Sequence, residues 1–517
     1  MPKTQRLSLR TLFHGSTGRI FLAALLATLL AKGTAFLPAY AIDDYSLGLQ
    51  APRLDGMFAQ GRFGQALLSQ LFYLLQLEPA YATVFFVGFA IFTSALLAAL
   101  TVRYWHLDRR GWMPAAAACL AVNHPYTAEI FTFRTALGSS MVALALFSLL
   151  LIPNRWSARR VLGGAALFAF TLSIYQVILH FCLMIIALGA AIWWTRYLIT
   201  AARDGWSRRV SSLLSPRRIL RHKNTALLAC ATLGTAGYLA LNAVISRALH
   251  VVRADRTRFI PLAELSARGR MVLDVLELRL REPSALMTLF SKRLLLLLLL
   301  GALAGLLWRT RPWLRMRAAL LLLAVVALLA GALVWSVGII MVLREFWPVP
   351  RVMSHVGIFW AGLLVIACLG SGVLARKGLA VLAALILLSF IGADNRILRD
   401  QVRLNARDTL KANRILARLE MLPGFSQVAF VAVDGSEWRY PVGYSTTDHD
   451  MNISAFGADW AKVAILRETS GYDLKAATDP GQKAMAEAFC RSVKPWPDPA
   501  SVMIKDRLAI VCLGHQH

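Results

Sequence analysis

Residues 80–102 read AYATVFFVGFAIFTSALLAALTV and contain no charged side chain. A transmembrane helix needs about 20 consecutive apolar residues to cross a hydrocarbon core about 30 Å thick, so this stretch predicts one membrane span. The whole chain has the same character, because 57% of its 517 residues are hydrophobic, 16% are charged, and the mean hydropathy is +0.57. Soluble domains carry about 25% charged residues. We therefore expect a polytopic α-helical membrane protein whose first partner is the lipid bilayer, and not a soluble, disordered or disulfide-rich secreted chain.

Apolar runs predict about eleven transmembrane helices. The run at 161–194 is too long for a single span, and its polar interior, Ser173 to Gln176, predicts the tip of a tight hairpin between two spans. The other nine predicted spans lie at 18–40, 80–102, 112–124, 136–152, 225–246, 286–307, 317–336, 353–371 and 378–394.

The net charge of +28 is concentrated in connections between the spans. In a soluble chain it would suggest a nucleic-acid partner, but cytoplasmic loops of membrane proteins collect Lys and Arg, so we expect no nucleic acid. No small-residue cleavage site follows the first apolar run, which predicts an uncleaved first span, and the loop charges predict a cytoplasmic N-terminus in an inner membrane. An odd span number then places the C-terminus in the periplasm. Residues 247–285 depart from the rule with eight arginines, which fits either an amphipathic helix on anionic lipid or a phosphate site.

The composition changes after Ala393, which predicts a transmembrane domain at 1–394 and a periplasmic α/β domain at 395–517. The second domain contains Cys490 and Cys512. Since both would lie in an oxidising compartment, we expect a disulfide between them. Strands are predicted at Val428–Val433 and Leu508–Leu513, and helices at 402–420 and 482–491.

Carboxylates are scarce in this chain, and two of them, Asp43 and Asp44, follow the first span directly. Acidic groups at a membrane interface cost desolvation energy unless they are solvated or used. They are either a solvated helix end or a general base beside an acceptor site. The Gly61–Gly64 segment with Arg62 follows, and then an amphipathic stretch at 66–77 that predicts an interfacial helix.

Further polar groups fall at predicted outer ends of the spans. Glu129 and Arg134 lie in the turn after the third span, and Tyr175 and Gln176 lie at the hairpin tip. Each group has an alternative structural role as a helix end or an internal hydrogen-bond partner. Arginine suits phosphate because its planar group binds two oxygens, which makes Arg344 and Arg351 further candidates. No cluster has metal-ligand spacing, and we expect no metal or other cofactor.

Four short motifs together resemble one family. They are the Asp-Asp pair followed by Gly61-Arg-Phe-Gly64, the Asn123-to-Arg134 turn, the Leu-Ser-Ile-Tyr-Gln segment ending at Gln176, and Ala-Asp-Asn-Arg-Ile at Ala393–Ile397. This combination resembles the serotype-converting, Gtr-type O-antigen glucosyltransferases of the GT-C superfamily. The likeness covers the first six spans and the exit from the last one. The chain departs from the pattern at Ala136, where an acidic residue is expected.

The resemblance implies an inverting glycosyltransferase that moves a sugar, expected to be glucose, from undecaprenyl phosphate to a periplasmic glycan such as the O-antigen of lipopolysaccharide. It implies that Asp43 or Asp44 is the general base. The donor phosphate and sugar would be bound by Arg62, Glu129, Arg134, Tyr175, Gln176, Arg344 and Arg351. A transporter or flippase for lipid-linked sugars, with an outer regulatory domain, remains the alternative from the sequence.

Overall fold

The chain folds into an assembly of long apolar helices followed by a smaller α/β unit. The computed structural model describes residues 15–45, 54–78, 81–107, 111–153, 156–204, 223–252, 254, 258–281, 284, 286–310, 316–437 and 451–515. The α-helices are, in chain order, α1 Ser16–Lys32, α2 Leu54–Ala59, α3 Phe63–Leu74, α4 Thr83–Tyr104, α5 Met113–Val122, α6 Tyr126–Thr132, α7 Arg134–Leu149, α8 Ala158–Ile174, α9 Ile178–Asp204, α10 Lys223–Ala248, α11 Leu265–Arg281, α12 Leu289–Thr310, α13 Met316–Trp335, α14 Val356–Gly370, α15 Val373–Glu420, α16 Asp459–Ser470 and α17 Pro480–Ser492. The strands are β1 Phe430–Ser436, β2 Lys475–Ala476, β3 Val502–Lys505 and β4 Leu508–His515.

Seven helices within the described ranges are long and apolar enough to cross a membrane. Three further apolar helices, Met113–Val122, Arg134–Leu149 and Ala319–Trp335, are shorter. The chain is therefore a mostly helical membrane protein. The figure of eleven spans and their orientation stay predictions.

The predicted break at Ser173–Gln176 is present, because α8 ends at Ile174 and α9 begins at Ile178. The two helices do not form a tight hairpin, however. Helix α8 packs mainly on α10, α3 and α7, whereas α9 packs mainly on α13 and α14. The polar residues of the break are therefore at the point where two helices separate, and this opens space beside them.

A buried ion pair joins the first and last apolar helices. The ammonium group of Lys32 lies 2.7 Å from the Asp394 carboxylate, and both side chains are fully buried. Lys32 also donates to the carbonyl of Val122 and to the side-chain oxygen of Asn123. Asn395 accepts from the Thr34 hydroxyl. The Ala-Asp-Asn-Arg-Ile motif thus holds α1 against α15.

The C-terminal unit contains a four-stranded sheet with strand order β2-β1-β4-β3. Strand β1 is parallel to β2 and β4, and β3 is antiparallel to β4. Cys490 in α17 and Cys512 in β4 form a disulfide with a Cα–Cα distance of 5.3 Å.

The predicted domain boundary between residues 394 and 395 falls within helix α15. This helix has 48 residues in all, which at 1.5 Å per residue makes it about 72 Å long. Ile42 and Tyr45, which follow the first span, are buried in the same hydrophobic cluster as Ile415 and Phe456 of the C-terminal part. The C-terminal core is therefore completed by residues from near the start of the chain.

Candidate functional site

A cavity of about 650 Å³ lies among the segments that connect the apolar helices. These connections lie on the outer side of the membrane in the predicted topology. Of the predicted site residues, the cavity is lined by Asp43, Arg62, Tyr175, Gln176 and Arg351. Ala136, where the resemblance predicts an acidic residue, also lines it.

The structure separates the two adjacent acids. Asp43 lines the cavity, and its Oδ1 accepts a hydrogen bond of 3.2 Å from the indole N–H of Trp460. Asp44 is fully buried and is not among the residues that line the cavity. The Asp44 carboxylate accepts from the backbone N–H groups of Ala41, Arg134 and Thr135 and from the Thr135 hydroxyl.

Asp44 therefore caps helix α7, since Arg134 and Thr135 are its first two residues. A carboxylate at this position satisfies N–H groups that have no partner within the helix and interacts favourably with the helix dipole. Burial raises the pKa of Asp44, and the backbone hydrogen bonds from Thr135, Ala41 and Arg134 oppose that rise. The arrangement gives Asp44 a structural role and does not support it as a general base.

Arg134 does not reach the cavity either. Its side chain is 1% exposed, and its guanidinium donates to the backbone carbonyls of Ala35, Leu37, Ala39 and Phe131. These carbonyls lie just beyond the end of α1 and in α6, where the helical pattern leaves acceptors unpaired. The predicted role of Arg134 in binding the donor is thus not supported, because its hydrogen-bonding groups hold the chain around the site.

Glu129 and Arg351 act as a pair at the cavity wall. Glu129 is fully buried, and its carboxylate accepts from both the backbone N–H and the guanidinium of Arg351, the latter at 2.8 Å. The Arg351 guanidinium also lies over the ring of Phe133, 4.6 Å from its centre. The Arg351 side chain is 22% exposed and lines the cavity. Glu129 therefore orients Arg351 from behind and does not itself line the cavity.

The Gly-Arg-Phe-Gly segment packs against the break between α8 and α9. Arg62 donates through Nε to the side-chain oxygen of Gln176 at 3.1 Å, and the Gln176 amide donates to the carbonyl of Gln60. A Cβ at Gly64 would lie 2.2 Å from the Ser173 hydroxyl oxygen. The close approach of this segment to Ser173 thus requires glycine at position 64. The same approach places Arg62 beside Gln176.

Tyr238 joins this network from α10. It donates to the carbonyl of Gly61 and accepts from Gln176, each at 3.1 Å. Gly61 has a φ of +70°, and a Cβ there would lie 2.7 Å from the Tyr238 hydroxyl. The Gly-Arg-Phe-Gly and Leu-Ser-Ile-Tyr-Gln motifs therefore form one wall of the cavity together.

Three charged residues of the cavity were not among the predicted site residues, although one of them, Arg258, belongs to the arginine-rich segment at 247–285. Arg344 is exposed and does not line it, whereas Arg258, whose carbonyl accepts from the Arg344 N–H, does. Glu78 and Glu345 also line the cavity. The described lining therefore combines three guanidinium groups with three carboxylates. The only sequence signal for Glu78 and Glu345 is that acidic residues are scarce in this chain.

His180 lines the cavity but is engaged through both ring nitrogens. Nδ1 lies 3.0 Å from the carbonyl of Val352, and Nε2 accepts from the N–H of Ile339. A neutral ring with its proton on Nδ1 satisfies both contacts. This geometry gives His180 a structural role.

The comparisons with known proteins identify the family. A family model described as Glucosyl transferase GtrII matches residues 34–361. The chain belongs to this family of glucosyltransferases. No curated protein and no solved structure matches the chain at a significant level.

The matched region of this glucosyltransferase includes Asp43, Arg62, Glu129 and Arg351, and it ends before α15 and the C-terminal unit. Membership implies a glycosyltransferase with a sugar donor and an acceptor. Among the described residues, no three His, Cys, Asp or Glu side chains are placed to hold a metal ion together.

Proposed function

We propose that the protein transfers a glucosyl group from undecaprenyl phosphate to a periplasmic glycan acceptor, such as the O-antigen of lipopolysaccharide, with inversion at the anomeric carbon. The observation that carries this proposal is the separation of the two acids, because Asp43 alone of the pair lines the cavity that Arg62 and Arg351 share. Membership of a glucosyltransferase family supports glucosyl transfer as the type of reaction.

In the proposed reaction Asp43 removes the proton from an acceptor hydroxyl while that oxygen attacks the anomeric carbon. The bond between this carbon and the phosphate oxygen breaks on the opposite side. The electron pair stays on the lipid phosphate, whose charge Arg351 and Arg62 stabilise. Groups placed in advance around developing charge are a large source of catalysis, and the contact of Glu129 with Arg351 provides such placement.

The proposal is tested with purified protein in lipid nanodiscs. The donor is undecaprenyl phosphate carrying radiolabelled glucose. The acceptor is lipopolysaccharide from the bacterium that encodes this protein, purified from a strain in which the gene has been deleted. Asp43→Asn retains size and hydrogen bonding but loses basicity, so we expect transfer to fall by ~10²–10⁴-fold. Donor binding, measured by co-purification of labelled lipid, should be retained.

Glu78→Gln and Glu345→Gln remove the other described carboxylates of the cavity one at a time. If either variant loses all glucosyl transfer while the Asp43→Asn enzyme stays active, the general base is that glutamate and not Asp43. If wild-type protein moves labelled lipid across a liposome membrane without transferring glucose, the transport alternative replaces the proposal.

The proposed location is the bacterial inner membrane, with the N-terminus in the cytoplasm and the C-terminal unit in the periplasm. Alkaline phosphatase fused to the C-terminus should be active in cells, whereas a cytoplasmic reporter fused there should be silent. The reverse pattern would place the cavity on the cytoplasmic side and would contradict a periplasmic acceptor.

A further inference from the structure

The C-terminal unit contacts the segment that carries the proposed base. Ile42 and Tyr45 are 2% and 3% exposed, and both are buried in the hydrophobic cluster of that unit. Asp43 lies between them, and Trp460 in the first turn of α16 donates to its carboxylate at 3.2 Å. The orientation of Asp43 therefore depends on a part of the chain that lies outside the matched family region.

Trp460 is also unusually exposed for a tryptophan with a hydrogen-bonded indole. Its exposed fraction is 53%, even though the N–H contacts a cavity residue. Tyr73 lines the same cavity with 42% exposure.

The exposed indole ring of Trp460 can pack against a sugar. An aromatic ring has a negative face, which suits the polarised C–H groups on one side of a pyranose ring.

Resting on the function proposed above, we infer that the C-terminal unit forms the acceptor side of the site. Trp460 is a positioning residue that fixes the Asp43 carboxylate through its N–H. Its exposed ring binds the pyranose unit whose hydroxyl Asp43 deprotonates. Arg351 and Arg62 then belong to the donor side. The substrate class selected by α16 is a pyranose within a glycan.

Two variants of Trp460 separate its two contacts. Trp460→Phe retains a ring but loses the N–H, so kcat should fall several-fold while the acceptor KM stays within about twofold of wild type. Trp460→Ala loses both contacts, so the acceptor KM should also rise by about two- to tenfold, the usual contribution of one aromatic contact. The donor KM should be unchanged in both variants, with the donor and lipopolysaccharide probes described above.

Tyr472→Ala is the matched control, because Tyr472 is an exposed aromatic residue of the same unit, with 43% exposure and a hydrogen bond to Glu420. It should leave all three constants unchanged. Thermal unfolding of each variant checks that the unit is folded. A folded Trp460→Ala enzyme with wild-type kcat and acceptor KM, combined with an inactive Asp43→Asn enzyme, overturns this inference alone. An active Asp43→Asn enzyme overturns the proposed function instead.

Discussion

The Asp44→Asn variant should be less stable to unfolding than the wild-type protein, whereas the Asp43→Asn variant should be about as stable as wild type. Each Asp44 carboxylate oxygen accepts two hydrogen bonds, from Ala41 and Arg134 at one oxygen and from the N–H and hydroxyl of Thr135 at the other. In Asp44→Asn, an NH₂ group replaces one of the two carboxylate oxygens. Whichever oxygen is replaced, the NH₂ group faces at least one buried backbone N–H that then has no acceptor.

The size of the effect follows from these bonds. One buried donor left without an acceptor costs about 1–3 kcal/mol, and two remaining bonds that change from a charged to a neutral acceptor lose about 1 kcal/mol each. Asp44→Asn should thus lower the free energy of unfolding by about 3–5 kcal/mol. Asp43, with its accepted bond from a half-exposed Trp460, should change by less than about 1 kcal/mol when replaced by Asn.

The assay is unfolding of the purified variants by increasing SDS in mixed micelles, followed by circular dichroism. The Asp44→Asn transition should occur at a clearly lower SDS fraction than the transitions of wild type and Asp43→Asn. Equal midpoints for Asp44→Asn and wild type would refute the capping role. A shift confined to Asp43→Asn would show that the two acids have been assigned the wrong way round.

Three further predictions use the same assay or simple labelling. Gly64→Ala should destabilise the protein by about 1–3 kcal/mol through overpacking on Ser173, whereas Gly88→Ala, with no atom within 4 Å of the new Cβ, should be tolerated; equal effects would argue against the close contact. Lys32→Met should cost about 3–5 kcal/mol because it leaves the Asp394 carboxylate buried without its partner, and Lys32→Met with Asp394→Leu should recover part of that loss; a double variant less stable than Lys32→Met would contradict this explanation. Cys490 and Cys512 should resist thiol labelling in denaturant until reductant is added, and ready labelling without reductant would exclude the disulfide.

Local sequence patterns predicted the helices well, because apolar length and polar interruptions are local properties. The break at Ser173–Gln176 is an example: polar residues inside a long apolar run were sufficient to locate it. The divergence of α8 and α9 was not predictable in the same way, since it depends on which helices pack beside them.

The candidate site was predictable as a set of segments but not as a set of roles. Asp43 and Asp44 are chemically identical neighbours, and only the position of the α7 N-terminus distinguishes them. Arg134 has the charge that suits a phosphate, but it is surrounded by carbonyl groups of α6 and of the segment after α1. Trp460 lies more than 400 residues after Asp43, so no local pattern connects them.

The ion pair between Lys32 and Asp394 also has a consequence for biosynthesis. The two residues are 362 positions apart, and bacterial ribosomes add about 5–20 residues per second, so Lys32 is made about 20–70 seconds before its partner. During that interval a lysine in the first apolar helix has no carboxylate to neutralise it, and a lone charge in the bilayer is costly. The first helix can therefore reach its final packing only after the last one has been inserted. Chains that are released early should consequently be recognised as incomplete by membrane proteases, and a working enzyme should exist only after the final helix has been inserted.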